Sequence, residues 1–300
     1  MKYPKLILLT TLIAGLLLPA IPVGASRGLD TGKIEQILGM KGTGKDGEYK
    51  ITVPQNDLSV SLDGFRITPP MGLTTWVGFS PMQEGAMMMG DIVLREEEIG
   101  PVEKEAVDQG LTVTGLHNHF VREQQKVMYM HIAGMGPTDR MARSVRAVLD
   151  RIDALRHENP AASKTESVPN TIDTARIESI LGTKGEMSQG IFKVTIGRPD
   201  VKLTDEGMPV SAFMGFNTWA AFQGTDAKAA VAGDFAMLDR EVEPVINALV
   251  KHGIEVVAVH NHMVTESPRI FFLHYWGEGT ADKLAEGLKA ALARTGTAIG

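Results

Sequence analysis

TVTGLHNHF, at residues 112–120, recurs as EVVAVHNHM at residues 255–263, an offset of 143 residues. Each copy is an apolar, β-branched run that ends in His-Asn-His, and such a run is typical of a buried strand. The same offset joins TGKIEQILGMKG (31–42) to TARIESILGTKG (174–185) and runs through the whole unit without insertion or deletion. The sequence therefore predicts a tandem duplication, with two domains of one fold.

The boundaries of the two units follow from composition. Residues 1–25 predict a secretory signal peptide, because a basic start precedes an apolar run and the small residues Val23, Gly24 and Ala25. An uncleaved membrane anchor is the alternative interpretation of this stretch. We expect the first repeat domain at 31–156, a polar, proline-containing linker at 157–173 and the second repeat domain at 174–297.

Composition limits the class of protein. The chain of 300 residues has no cysteine, so an exported form would depend on its hydrophobic core rather than on disulfides. Its formal net charge is −6 and no Lys/Arg cluster interrupts it, which argues against nucleic acid as a partner. We expect a periplasmic or secreted protein that has no stable membrane insertion after signal cleavage and that binds a small molecule or a glycan.

Each unit is predicted to be α+β, with a mostly antiparallel sheet and helices packed on one side. In the first unit a short amphipathic helix carries Ile34 and Leu38, and the last helix carries apolar residues at helical spacing over about 138–155. The strands are expected at 47–53, 58–67, around Trp76, and at 86–94, 111–119 and 126–133, with another helix at 96–109.

The histidines offer metal ligands. Strand alternation places His117 and His119 on one face, and a hairpin turn centred on residue 124 would set His131 opposite His117. Three imidazoles at that spacing can bind one divalent ion, and zinc is the expected ion. Glu123 would be a fourth ligand or a general base. The second copy repeats the pattern, and the alternative is a set of hydrogen-bonded structural histidines. Its residues are His260, His262, His274 and Glu266.

Other residues shared by the copies have two interpretations each. Asp91 and Asp234 sit in apolar strands, where each would orient a histidine ligand or cap a strand end. Trp76 and Trp219 belong to the core or offer a platform for a sugar. Arg269 would bind a substrate anion or lie solvated at a strand start. Substrate binding is assigned to Arg269, Trp219, Asn118 and Asn261.

The motifs GDIVLREEEIGPV (90–102), GLTVTGLHNHFVRE (110–123) and ESPR (266–269) resemble the LppY/LpqO family, exported proteins with a domain of unknown function. The likeness covers both repeats and implies export and a shared domain. The missing cysteine separates this chain from the lipoproteins of that family. The first copy has EQQK (123–126) where the second has ESPR, so the second copy is expected to hold the better site.

Two functions are compatible with these patterns. The first is an exported metal-dependent enzyme, a hydrolase or lyase that acts on a polar envelope or carbohydrate-like substrate through the His-x-His-xxx-Glu…His site. The second is a non-catalytic periplasmic module that binds a metal or another ligand. A catalytic site keeps a coordination position open to a cleft, whereas a structural site is closed.

Overall fold

The first repeat folds as predicted into an antiparallel sheet with helices. A computed structural model describes residues 28–158 and 169–296 of the chain. Two single-turn 3₁₀ helices, Pro69–Met71 and Glu96–Glu98, interrupt the longer elements. In chain order the elements are α1 (Thr31–Leu38), β1 (Thr43–Lys45), β2 (Glu48–Pro54), β3 (Ser61–Leu62), β4 (Phe65–Arg66), β5 (Thr74–Pro81), β6 (Ala86–Arg95), α2 (Ile99–Asp108), β7 (Thr112–His117), β8 (Val127–Gly136) and α3 (Thr138–Glu158).

The second repeat has the same order of elements. Its main difference is a single continuous helix, α5, where the first repeat has a 3₁₀ turn followed by α2. The elements are α4 (Thr174–Leu181), β9 (Gly185–Ser188), β10 (Ile191–Gly197), β11 (Thr204–Asp205), β12 (Met208–Pro209), β13 (Asn217–Gly224), β14 (Ala229–Leu238), α5 (Asp239–Lys251), β15 (Glu255–His260), β16 (Ile270–Gly279) and α6 (Ala281–Leu292).

Each repeat is built on one six-stranded sheet. The strand order is β1-β2-β5-β6-β8-β7 in the first repeat and β9-β10-β13-β14-β16-β15 in the second, with every pair antiparallel. One face of each sheet packs against the helices of its own repeat, where Ile34, Leu38 and Val145 are fully buried. The α+β prediction, with two tandem copies and helices on one side, is confirmed.

The other face of each sheet packs against the other repeat. Every residue of β6 and of β14 is buried, so both faces of these strands are covered. Two apolar clusters contain residues of both halves, and in one of them Leu58 and Val60 pack with Ala230 and Trp276. Cores shared in this way make the two repeats one folding unit in which the sheets face each other.

Hydrogen bonds and ion pairs also join the repeats. The guanidinium of Arg122 makes a two-pronged contact with the carboxylate of Glu255, at 2.7 and 2.8 Å. Beside it, the Thr114 hydroxyl donates to the backbone carbonyl of His262 at 2.7 Å. On another part of the interface, the indole N–H of Trp276 donates to Asp63 at 3.1 Å. These contacts are distributed over the interface between the repeats.

Some predicted element boundaries were wrong. Residues 58–67 form a hairpin of two two-residue strands, β3 and β4, because Asp63 and Gly64 adopt positive φ angles and reverse the chain. The helix expected at 96–109 becomes regular only at Ile99. The predicted strand 111–119 ends at His117. The signal peptide and residues 159–168 of the predicted linker lie outside the described residues. Over the part of the chain that is described, no helix has both the length and the apolarity that a bilayer span requires.

Candidate metal centre and its cavity

A row of polar residues crosses each sheet on the face that meets the other repeat. In the first repeat, Trp76 pairs with Asp91, and Asp91 pairs with His131 on the next strand. The second repeat has the same row, formed by Trp219, Asp234 and His274. Because cross-strand partners point to the same side of a sheet, the two rows face each other between the sheets.

The strand register differs from the one predicted. His117 lies opposite Tyr129 rather than His131, and a bulge between Val113 and Gly115 shifts β7 against β8. The connection after His117 is a long loop anchored by the buried Phe120, not a tight turn centred on residue 124. A shift by two residues leaves the side chains on the same face, so His117 still contacts His131.

All six histidines of the two motifs meet in one cluster. The Nε2 atoms of His117 and His131 are 2.9 Å apart, and the ring of His117 stacks on that of His260 from the other repeat at 3.7 Å. Two further contacts cross between repeats, His119 to His274 at 3.8 Å and His131 to His262 at 4.0 Å between ring centroids. The sequence predicted one site in each repeat, whereas the structure forms a single composite centre.

Neighbouring groups fix the orientation of these rings. His131 and His274 each donate a hydrogen bond from a ring nitrogen to the backbone carbonyl of Gly90 and Gly233 respectively. This leaves the Nε2 atom of each ring as the basic nitrogen, as in many metal-binding histidines. His119 stacks on the ring of Tyr129, and His262 stacks on Phe272, both at 3.3 Å.

Many polar atoms of the cluster have no protein partner. Among the described residues, both ring nitrogens of His119 and of His260 are buried without a hydrogen bond, and so is Nε2 of His274. One carboxylate oxygen of Asp91 is in the same state. Since buried polar groups are nearly always satisfied, this set of basic nitrogens has the arrangement expected of metal ligands.

Three combinations place ligand atoms within 4.8 Å of one another. Nitrogens that share one zinc ion at about 2.0–2.1 Å lie roughly 3.4 Å apart, so these spacings require only small movements. Each combination contains the histidine at the end of β7, the one at the end of β15, or both, and two of the combinations contain residues of both repeats. The combinations are His117, His131 and His260; His117, His119 and His274; and Asp234, His260 and His262.

Burial keeps the histidines neutral and the aspartates protonated. Loss of solvent lowers the pKa of His117 to about 4 and holds the pKa values of His119 and His131 well below the ordinary range. The same loss of solvent raises the pKa of Asp91 to about 8 and that of Asp234 well above its usual value. A buried, mostly neutral imidazole cluster is in the protonation state that divalent metals require.

A cavity of about 260 Å³ opens beside the cluster and is lined by both repeats. His119, His262 and His274 form part of its wall, as do Asp91 and Asp234. The two tryptophans of the polar rows, Trp76 and Trp219, also line it.

Each tryptophan reaches across to a glycine of the other repeat. A Cβ atom on Gly72 would lie 3.1 Å from the Trp219 ring, and one on Gly215 would lie 3.0 Å from the Trp76 ring. Both glycines also have positive φ angles, +105° and +100°, which side chains other than glycine rarely adopt. The tips of the tryptophan rings therefore close the cavity over the glycines of the opposite half.

Several predicted site residues do not line this cavity. The carboxylate of Glu123 pairs with the ammonium of Lys126 at 3.2 Å, and that of Glu266 pairs with Arg269 at 3.1 Å. Both carboxylates are buried at the beginning of a strand, and each keeps one oxygen without a partner. The side-chain amide of Asn118 donates to the carbonyl of Phe120 in its own loop, and that of Asn261 donates to the carbonyl of Ile270 at the start of β16. The catalytic and substrate-binding roles of these residues stay predictions.

Sequence reasoning missed three residues of the site. Lys50 and Lys193, which are related by the repeat offset, line the cavity with their ammonium groups 4.3 Å from the Trp76 and Trp219 ring centroids. Tyr129 brings a buried hydroxyl without a partner to the ring of His119, where the second repeat has Phe272. The signal for the lysines was available, because both copies keep a lysine at the same place in a strand.

Acid should destabilise the metal-free protein. The unfolded chain protonates histidine near pH 6.5, whereas the six rings of the cluster have lowered pKa values when folded. Their contribution is thus present above pH 6.5 and is lost as the pH falls towards 4, by up to about 1.4 kcal/mol per pH unit for each ring. Asp91 and Asp234, with raised pKa values, act in the opposite direction, but two groups oppose six. Thermal unfolding at pH 7.5, 6 and 5 measures this loss of stability, and a midpoint that does not change with pH would contradict it. As a control, the variant His157→Gln, which replaces an exposed histidine outside the cluster, should keep the pH dependence of the wild-type protein.

Comparisons with known proteins give a family match and little else. A family model described as Domain of Unknown Function (DUF1259) matches residues 32–151 and 175–294. The sequence matches no curated protein. Among solved structures, EtuB from Clostridium kluyveri is similar at 9% identity over 85% of this chain and 90% of that chain, with a TM-score of 0.21. The trimeric bacterial microcompartment shell protein PduB is similar at 11% identity over 83% and 87%, with a TM-score of 0.20. TM-scores of this size do not establish a shared fold.

Proposed function

Since the chain belongs to the family described as Domain of Unknown Function (DUF1259), in two copies at residues 32–151 and 175–294, we propose its function from the site. The protein is an exported metal-dependent enzyme of hydrolase or lyase type. Its metal centre is a single one, built jointly by both repeats, and zinc is the first candidate. The substrate is a small polar molecule of the cell envelope or one that resembles a carbohydrate.

The observation that carries the proposal is the convergence of six histidines, three from each repeat, of which four are buried and two half-buried, with unpartnered ring nitrogens on His117, His119, His260 and His274. A structural role for the histidines would satisfy these nitrogens with protein partners, as nearly all buried polar groups are. The combinations His117/His119/His274 and Asp234/His260/His262 share no residue. The cluster thus has ligands for up to two divalent ions.

The cavity supports catalysis over closed storage of an ion. His119, His262 and His274 belong both to the ligand cluster and to the cavity wall. A substrate in the cavity would therefore reach an ion held by these rings, which is the open position that a catalytic site keeps. A module that only sequesters a metal is the second candidate, favoured by the deep burial of the cluster.

The chemistry that a divalent ion supplies at such a site is polarisation of a substrate oxygen or acidification of a bound water. The carboxyl groups that line the cavity are Asp91 and Asp234, each within 4 Å of a histidine: 3.7 Å to His119 and 3.8 Å to His262. They are placed to orient those rings or to accept and return a proton. Glu123 and Glu266 remain candidates for the base from the sequence pattern, in which case their loops would have to turn towards the cavity.

Export and the narrower family assignment belong to the proposal as well. The predicted signal peptide at residues 1–25 supports a periplasmic or secreted location. The motifs that resemble the LppY/LpqO family support the same location and the proposal that the chain is a member of that family.

The test is metal analysis followed by an activity screen. The full-length protein is purified without chelator, and its content of zinc and other divalent ions is measured per chain. We expect one to two equivalents of metal, removed by a chelator and restored by added zinc. The metal-loaded and metal-free forms are then screened against ester, phosphoester and glycoside substrates. Protein that stays metal-free after zinc loading would overturn the proposal, and a loaded protein without metal-dependent activity would leave the sequestering module as the function.

A further inference from the structure

Two lysines face the same small cavity, and neither forms an ion pair with a carboxylate of the described residues. Lys50 on β2 and Lys193 on β10 both line it, one from each repeat. In the part of the chain that the structure describes, no carboxylate lies within ion-pair distance of either ammonium group. Each lysine is only half-buried by its exposed area, yet its ammonium group lies against aromatic rings rather than in open solvent.

The contacts of these lysines compensate only part of their charge. The Lys50 ammonium is 4.3 Å from the Trp76 ring and 5.0 Å from the Phe213 ring of the other repeat. The Lys193 ammonium is 4.3 Å from the Trp219 ring. Cation–π contacts replace some hydration but leave the positive charge in place. Burial, together with the charge of Lys193, lowers the pKa of Lys50 to about 8, and burial lowers that of Lys193 to about 8.

Two neighbouring cations in one cavity are unfavourable unless an anion joins them. The aspartates of the cavity form no ion pair with either lysine, because their carboxylates lie beside His119 and His262, at 3.7 and 3.8 Å. A ligand oxyanion between the two lysines would accept charge-assisted hydrogen bonds from both. An ammonium group is a compact point charge and lacks the planar, two-pronged geometry of the arginine guanidinium. It can therefore bind either a carboxylate or a phosphate.

We propose that Lys50 and Lys193 form an anion-binding site, and that the ligand of the central cavity is a small organic molecule that carries a carboxylate or phosphate group. The volume of about 260 Å³ suits a molecule smaller than a drug-sized ligand. The apolar part of that molecule lies against Trp76 and Trp219, and its remaining polar groups face His119 and His262. That this anion is the substrate rests on the proposed function, whereas the anion site itself does not.

The experiment uses the full chain in its chelator-treated, metal-free form. Inorganic phosphate and malonate are titrated at pH 7, and binding is followed by calorimetry and by tryptophan fluorescence. We expect saturable binding of at least one of the two anions. Lys50→Met and Lys193→Met are each expected to weaken it about tenfold, because each removes one charged hydrogen bond. The double variant should abolish it, and Lys50→Arg/Lys193→Arg should retain it.

The matched control is Lys228→Met. The Lys228 ammonium also lies near an aromatic ring, 5.6 Å from that of Phe65, but the residue is exposed and does not line the cavity. Its replacement should leave anion binding unchanged. Anion binding that survives in the double methionine variant, or its absence in the wild-type protein, would overturn the anion site.

A pH series gives an independent readout that needs no variant. Anion binding should weaken as the pH rises through about 8, since both lysines lose their charge there. Asp91 also lines the cavity, beside His119. The other titratable groups that act on the lysines or line the cavity are Glu48, Glu186, Asp234, His119, His262 and His274. Binding that strengthens with pH would contradict the assignment.

The outcomes also separate this inference from the proposed function. Protein that binds metal but neither anion refutes the anion site and leaves the metal centre in place. Protein that binds an anion through the lysines but takes up no metal refutes the metal centre and leaves the anion site.

Discussion

Replacing His117 and His119 together by alanine is expected to reduce metal binding as much as replacing His260 and His262. The comparison of the two copies favoured the second repeat as the working site. In the structure both copies contribute to one cluster, in which the rings of His117 and His260 stack at 3.7 Å. Each pair supplies ligands to a combination that also needs residues of the other repeat. Loss of two ligands disrupts every combination that contains them and should lower the metal content by about one equivalent, since one of the two combinations without a shared residue stays complete in each variant.

The measurement is metal content per chain after dialysis, with circular dichroism to verify the fold. The matched control is the variant His157→Ala/His252→Ala, which removes the two histidines outside the cluster. It should keep the metal content of the wild-type protein. If one histidine pair can be removed with full retention of metal, the centre is not shared and each repeat works alone.

Gly233→Ala is expected to lower the free energy of unfolding by about 3 kcal/mol. A Cβ atom at this position would approach the backbone oxygen of Trp219 and the hydroxyl of Tyr275 to less than 3.0 Å, a distance that real Cβ contacts essentially never show. The backbone oxygen of Trp219 cannot move away easily, since it accepts a hydrogen bond from the Tyr275 hydroxyl at 3.0 Å. The carbonyl of Gly233 itself holds the ring of His274. The substitution should therefore also reduce metal content.

Chemical denaturation of the metal-free protein measures the change in the free energy of unfolding without the contribution of bound metal. Gly100→Ala serves as the control, because nothing lies within 4 Å of a Cβ atom there and the residue belongs to helix α2. That variant should be more stable than the wild-type protein by roughly 0.5–1 kcal/mol, as expected of a glycine replaced within a helix. Equal stability of the Gly233 and Gly100 variants would show that β13 and β14 can separate to make room.

The fold was predictable because its signals are local. The motifs that recur at an offset of 143 residues, the amphipathic helices and the alternating strands can all be recognised in short stretches of sequence. The structure has the corresponding helices and strands at the predicted positions or within a few residues of them. The register of β7 was not predictable. It depends on the bulge at Gly115, whose lack of a side chain allows the carbonyl of Asn261 from the other repeat to approach.

The candidate site was predicted in its residues but not in its assembly. Periodicity indicates that a strand such as AMMMGDIVLR is covered on both faces, but it does not indicate what covers the second face. For that reason the six histidines were assigned to two sites instead of one. Lys50 was missed because it alternates with the buried Tyr49 and Ile51, and a lysine in that position normally faces water.

The reciprocal contact of Trp76 with Gly215 and of Trp219 with Gly72 has a consequence for how such a protein arises. An interface in which each partner offers the same groove and the same projecting ring is isologous, the arrangement of a two-fold homodimer. A protein with a single repeat would have to dimerise to build this centre, and its two half-sites would be identical by symmetry. Covalent fusion makes that encounter intramolecular and lets the halves diverge. The hydroxyl of Tyr129, which Phe272 lacks, makes the two sides of the centre chemically different. Such a difference cannot exist in a symmetric dimer, so a directional role for one half became possible only after the duplication.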